Sequence, residues 1–356
     1  MKSFKNLFDV AISEETRKTA IHKASLGKKR KFAKFLSDKN LLDKVALWLE
    51  DFRPTRHHAV AIYDGIRRKK RNIVVPSFSE LVVQHCVVEA LKPLMFRGMY
   101  RHSYASIPER VMPDGVREKR GAHKGKRYIE RWLKDRANTQ YVLKMDIKQF
   151  FETINHDILK EMFAKRIRDD KMLDLLYRII DTTDKGLPIG FYTSQWFSNF
   201  YLQELDHYIK EDLRAKYYIR YMDDMIVFGA DKARLHDIRR EVERYLNDRL
   251  ELEMKDNWQV FPLASRPLDF MGFRFFRNRV TLRRSIMLKC SRKAKRLWKK
   301  QKATIFEIRQ MLSYAGWLCC TNTYGFYLEH VKPYVDFQYC MRRISRHDRR
   351  LHYGMV

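Results

Sequence analysis

The run Tyr221-Met222-Asp223-Asp224 constrains this chain more than any other feature. It lies between two β-prone segments, Tyr217–Tyr221 and Met225–Phe228, and so reads as the tip of a hairpin. Two adjacent carboxylates at such a tip repel each other unless a cation sits there. A solvated turn is the plain alternative, because Asp is common in turns. Another β-prone run, Tyr141–Met145, ends on Asp146. Carboxylates divided between strands are what two metal ions about 3.5–4 Å apart require as bridges. Mg²⁺ suits such a site, since it takes oxygen ligands and leaves positions for phosphates and water.

These acids stand out against a basic chain. The 356 residues hold 73 Lys+Arg and 43 Asp+Glu, a formal net charge of +30. That balance favours a polyanionic partner, nucleic acid above all. An acidic membrane would also attract it, and a merely soluble basic protein is the bland reading. Hydrophobic residues at 45% exclude wholesale disorder. With 13 Gly and 9 Pro, a collagen-like or turn-dense all-β chain is a poor match. The five cysteines are odd in number and form no CxxC pair, which fits reduced thiols in a cytoplasm and no zinc site. Residues 1–15 lack the apolar stretch of a secretory signal. Two 18-residue segments carry no charge, Gly186–Gln203 and Met311–Leu328. Both are too polar to span a membrane, so no membrane partner is expected and they read as packed or ligand-facing elements.

Local patterns place the rest on an α+β or mixed α/β fold. Residues 1–50 are helix-prone and charged, with Lys28–Lys31 at their middle. The basic run Arg67–Arg71 followed by Ile73-Val74-Val75 and Pro76 suits a basic hairpin. Residues 79–96 read as an amphipathic helix, 103–126 as irregular and basic, and 127–135 as a short helix. Helices are expected over 157–181, 194–210 and 234–250, and a second hairpin over 269–276 and 279–282. From Arg283 the chain reads as basic helix, with ten Lys+Arg in residues 283–302. The histidines are scattered, and the His57-His58 pair reads as surface or packing rather than ligand.

The ordered series of motifs resembles a bacterial or phage reverse transcriptase over about residues 50–285. RRKKRNIVVPSFSELVVQH and SYASIPER with GAHKGKRYI are similar to fingers blocks, and LKMDIKQFFETINHDIL to the first palm block. GLPIGFYTSQWFSNFYLQELDHYI is similar to the nucleotide-facing helix and YYIRYMDDMIVFG to the catalytic hairpin. LELEMKDNWQVFPL and LDFMGFRFF are similar to the two blocks that follow. The resemblance implies a right hand: an N-terminal helical extension at 1–50, fingers at 51–140, a palm of antiparallel sheet and helices at 141–282, and a basic helical thumb at 283–356. It implies that Asp146 and Asp223 bind two Mg²⁺ ions, with Mn²⁺ substituting in vitro, that Asp224 assists, and that the Ile147 carbonyl completes a shell. Phe151 would be the gate that excludes a 2′-OH. Lys70 and Arg71 would hold the triphosphate, Gly190 would admit backbone close to the nucleotide, and Gln195 would sit beside the template base. Lys255 would act near the pyrophosphate. Tyr221, Met222, Gly272 and Phe273 would contact primer and template. In the thumb, Tyr314, Trp317, Tyr324, Phe326 and Tyr327 would stack on bases or, for most of them, pack its core.

The implied partners are a template or non-coding RNA, a primer with its cDNA, and dNTPs, in the cytoplasm of a bacterium or a phage-infected cell. Ile189-Gly190 with Ser194-Gln195 matches the IGxxxSQ pattern of enzymes of diversity-generating retroelements, which copy a template repeat with frequent errors and work with a small basic accessory protein. Phe191-Tyr192 departs from the commoner Asn-Leu of that group. Residues 103–126 and FPLASRPLDFMGF also resemble ungrouped reverse transcriptases of antiphage defence, some of which make repetitive, untemplated or protein-primed DNA. An inactive RNA-binding scaffold would have lost a carboxylate, and an RNA-dependent RNA polymerase would have a smaller residue in place of Phe151.

Overall fold

Ser77 starts the central helix. Its hydroxyl accepts from the Glu80 N–H while the Glu80 carboxylate accepts from the Ser77 N–H, a reciprocal cap that fixes the beginning of Phe78–Gly98. The structure, a computed structural model, describes residues 3–28, 32–55, 57–64, 69–106, 109–111, 117–300 and 302–352. Arg67, Arg68 and Lys29–Lys31 of the basic runs lie outside the described residues, as do 107–108 and 112–116. The strands, in chain order, are β1 (His58–Asp64), β2 (Lys69–Val75), β3 (Glu109–Val111), β4 (Arg117–Lys119), β5 (Tyr141–Asp146), β6 (Tyr217–Tyr221), β7 (Asp224–Gly229), β8 (Gln259–Pro262), β9 (Leu268–Phe270), β10 (Phe273–Phe275) and β11 (Val280–Leu282). No described helix is long and apolar enough to cross a membrane.

The chain forms two compact units, residues 1–121 with 143–260, and residues 122–142 with 261–356. The first holds the four-stranded sheet β6-β7-β5-β8, whose strands β5 and β8 run to the unit's border, and the basic hairpin β1–β2. Helices Leu7–Ile12, Glu14–Ser25 and Leu41–Glu50 pack on Phe78–Gly98 within this unit. Phe78–Gly98 is buried on nearly every side, unlike the amphipathic helix expected, because other helices cover both of its faces. The segment 103–126 is more regular than expected, since β3 and β4 pair and the next helix begins early, at Ala122. The helix expected over 157–181 breaks at Lys165–Asp169, where the Asp169 side chain caps Asp170–Ile180 and also accepts from Phe8 N–H at 2.8 Å. The segment 194–210 divides into Tyr192–Tyr201, Gln203–His207 and a widened turn at Tyr208–Asp212.

The second unit packs the three-stranded sheet β11-β10-β9 with helices Arg284–Lys299, Ile305–Cys319, Tyr324–His330 and Phe337–His352. The hairpin expected there gains a third strand because Met271 and Gly272 both take positive φ (51° and 86°), the geometry of a two-residue β-turn.

Candidate active site

The acids meet where two strand ends meet. Strand β7 lies between β6 and β5, so the β6–β7 tip and the end of β5 come to one place at the sheet. Tyr221 pairs with Asp224, which leaves a loop of only Met222 and Asp223. Met222 carries a positive φ of 58°, an unfavourable state for a residue with a Cβ. It is held from behind: Arg220 Nη1 donates to the Met222 carbonyl at 3.0 Å, and Ser198 Oγ lies 3.3 Å from the Met222 sulfur. Asp223 is thereby set on the turn beside Asp146 and Asp224. Burial first, then the charges of Asp146 and Asp224, push its carboxyl up to about 6, against the opposing pull of its own N–H and of Lys255.

Lys255 is part of this cluster. Its ammonium donates to Asp146 Oδ1 at 2.5 Å, and its N–H donates to the Asp146 carbonyl at 2.8 Å. Ile147 is fully buried and bridges to Met254, which brings Lys255 into place. Hard oxygen donors that raise one another's proton affinity are a set that a divalent cation would relieve. Among the described residues no three acid, His or Cys side chains close a cage by themselves, so an ion held by Asp146 and Asp223, with help from Asp224 and the Ile147 carbonyl, would take its remaining ligands from water or substrate.

The other expected residues surround this point in different ways. Phe151 lies on the short helical turn Phe150–Thr153 and keeps part of its ring exposed, whereas Phe150 is buried. Gln195 is exposed on Tyr192–Tyr201, while Thr193, Ser194 and Trp196 beside it are buried, so it alone of that run faces outward. Tyr221 is half-buried. Lys70 and Arg71 are both exposed on β2, opposite Tyr63 and Ile62. Neighbours in a strand project to opposite faces, so the two do not grip one group from the same side.

Packing also involves three of the expected residues. Gly190 has φ +123°, and a Cβ there would sit 2.1 Å from the Val74 carbonyl oxygen and 2.8 Å from Ile73 Cγ2. Ile189 accepts from Val74 N–H at 2.7 Å. The close approach that demands glycine is thus made by β2 of the chain itself. Phe273 belongs to the second unit and is fully buried, its ring 5.0 Å from Trp317 and 5.8 Å from His123. A Cβ on Gly272 would meet Ile286 and Trp317 at 2.9 and 3.1 Å, so this glycine too serves packing. Trp317, half-buried, packs against the Phe273 ring.

One group is not legible in the motifs. Arg220 and Asp206 form an ion pair buried at 1% and 0% exposure. Asp206 accepts from Arg220 Nε at 2.8 Å, from Nη2 at 2.6 Å and from the Tyr218 hydroxyl at 2.7 Å, and Arg220 Nη1 also reaches Asn199 Oδ1 at 3.1 Å. The sequence signal is the period-two spacing of Tyr218 and Arg220, which sends both side chains to one face of β6.

The chain is similar to several known proteins. Protein YkfC of Escherichia coli (strain K12) is 24% identical over 255 residues, 59% of this chain and 64% of that one. The retron Ec73 reverse transcriptase of Escherichia coli is 35% identical over 104 residues, 26% of this chain and 33% of that one. The group II intron-encoded protein LtrA of Lactococcus lactis subsp. cremoris is 20% identical over 302 residues, 64% of this chain and 47% of that one. The chain thus spans less than two thirds of the length of each of these relatives. Apo telomerase from Candida tropicalis superposes with a TM-score of 0.49 at 14% identity, over 83% of this chain and 59% of that one. The family model described as "Reverse transcriptase (RNA-dependent DNA polymerase)" matches residues 63–275, which include every acid of the cluster, and the chain belongs to that family.

Proposed function

We propose that this protein is an RNA-directed DNA polymerase that copies a dedicated template RNA from dNTPs. The observation that carries the reading is the meeting of Asp146 at the end of β5 with Asp223 on the β6–β7 turn, where burial and then the charge of Asp146 raise the Asp223 carboxyl. Bound there, two Mg²⁺ ions would activate a primer 3′-OH and stabilise the leaving pyrophosphate. The chain's own residues define the rest. Asp146 and Asp223 hold the charge, and the Arg220 bond to the Met222 carbonyl fixes the turn that presents Asp223. Lys255 neutralises Asp146 and would stand near a leaving phosphate. The half-exposed ring of Phe151 would lie under the sugar and select deoxynucleotides, and Gln195 would read the templating position. Residues 1–140, 141–282 and 283–356 would act as fingers with their extension, palm and thumb.

Within the family we assign the chain to the diversity-generating type, on Ile189-Gly190 and Ser194-Gln195, with a small basic protein as accessory partner. The test is to sequence the RNA that copurifies with the protein and the DNA made when Mg²⁺ and dNTPs are added. Products that match a repeat in that RNA, with errors concentrated at adenines, are expected. Faithful, repetitive or untemplated DNA would refute the subtype and favour a defence enzyme. Absence of any DNA product on a primed RNA would refute the polymerase itself.

A further inference from the structure

The second unit carries an aromatic groove that its own core does not use. Helix Arg284–Lys299 holds seven Lys+Arg and no acid, and helix Phe337–His352 holds five Lys+Arg and one Asp. Between them runs a cavity of about 380 Å³, lined by Trp298, Tyr334, Tyr339, Lys300 and Arg343. Trp298 is 66% exposed and Tyr339 55% exposed. Large rings are rarely left in water at this level, because burying one is worth about 1.5–3 kcal/mol. The cations flank the rings: Lys295 Nζ lies 5.4 Å over Tyr334 and the Arg343 guanidinium 6.0 Å over Tyr339. The Asp336 carboxylate on the wall accepts from Gln338 N–H at 2.9 Å and so caps the following helix.

Exposed rings beside Lys and Arg match the two halves of a nucleotide, a base that stacks and a phosphate that pairs. A protein partner would also use Trp, Tyr and Arg, but the surplus of cations favours a polyanion. We propose that this groove binds unpaired nucleotides of an RNA strand. The choice of RNA rests on the polymerase reading above: bases in a newly made RNA–DNA duplex are already paired, so those free to stack belong to the flanking RNA.

The test uses the full chain and three labelled twelve-nucleotide probes: unstructured RNA, DNA of the same sequence, and a blunt RNA–DNA duplex. Trp298→Ala and Tyr339→Ala should each weaken single-stranded RNA binding about tenfold, within the range for one lost stacking contact. Duplex binding, thermal unfolding and the salt dependence should stay as in wild type, because no cation and no core contact is removed. Trp298→Phe should restore most of the loss. Unchanged RNA binding by both alanine variants would overturn the proposal and leave the groove to a protein partner. Equal losses on duplex and single strand, or tighter binding of the DNA strand, would also overturn it. Extension of a short primed RNA, measured in parallel, separates the two readings: a chain that makes no DNA yet shows the selective loss refutes the polymerase and retains the groove.

Discussion

Asp206→Asn should unfold the first unit more readily than any surface change, and the size of the effect follows from the hydrogen bonds. Asp206 accepts from Arg220 Nε, Arg220 Nη2 and the Tyr218 hydroxyl, and both ionic partners are out of water. An Asn offers one oxygen and turns an NH₂ toward a guanidinium that can only donate. The Arg220 charge is then buried without a counter-charge, which costs about 3–5 kcal/mol. Net stability is of order 5–15 kcal/mol, so this is a large share of it. The companion variant is Asp206→Leu with Arg220→Met and Tyr218→Phe, which removes both charges and the hydroxyl together. Replacing a whole buried pair by apolar groups is near neutral, so the triple variant should fall within about 1–2 kcal/mol of wild type. It still lacks the bond from Arg220 to the Met222 carbonyl, so DNA synthesis should drop at least tenfold while RNA binding holds. Urea unfolding and primer extension read the two effects separately. A loss below about 1 kcal/mol in Asp206→Asn would refute the buried-pair argument, and wild-type synthesis by the triple variant would refute the role given to the turn.

Three further outcomes are expected. Asp223→Asn should abolish DNA synthesis yet leave RNA binding and, in metal-free buffer, stability at or above wild type, because it removes the charge that Asp146 and Asp224 oppose; reduced stability on urea unfolding would count against that repulsion. Gly190→Ala should cost about 1–3 kcal/mol and loosen β1–β2, since φ +123° and the Val74 carbonyl both reject a Cβ; hydrogen exchange of the β2 amides would report it, and unchanged protection would contradict the contact. His85, stacked on Tyr192 at 4.1 Å, is held down to about 4 mainly by burial. Its folded value lies below the ordinary 6.5, so its contribution is complete above about pH 6.5 and is lost as pH falls toward 4. His85→Phe should flatten that part of the stability profile, and an unaltered slope would show that other groups set it.

The sequence by itself determined the elements whose information is local. The β-prone composition of Tyr217–Tyr221 and Met225–Phe228, the short interval between them and the β-prone run ending on Asp146 predicted the strands that present the acids. The order of the motifs led to the family that residues 63–275 match. Element ends were less legible where a distant residue decided them, as at Asp169, whose side chain serves both a helix start and Phe8 N–H. The tertiary structure alone decided who neutralises whom. Lys255 reaches Asp146 across 109 residues, Arg220 finds Asp206 across a helix and a turn, and Val74 takes the space beside Gly190. Local periodicity fixes which face a side chain points to, but a charge partner or a backbone contact depends on which other element packs against that face, and that is settled only when the chain has folded.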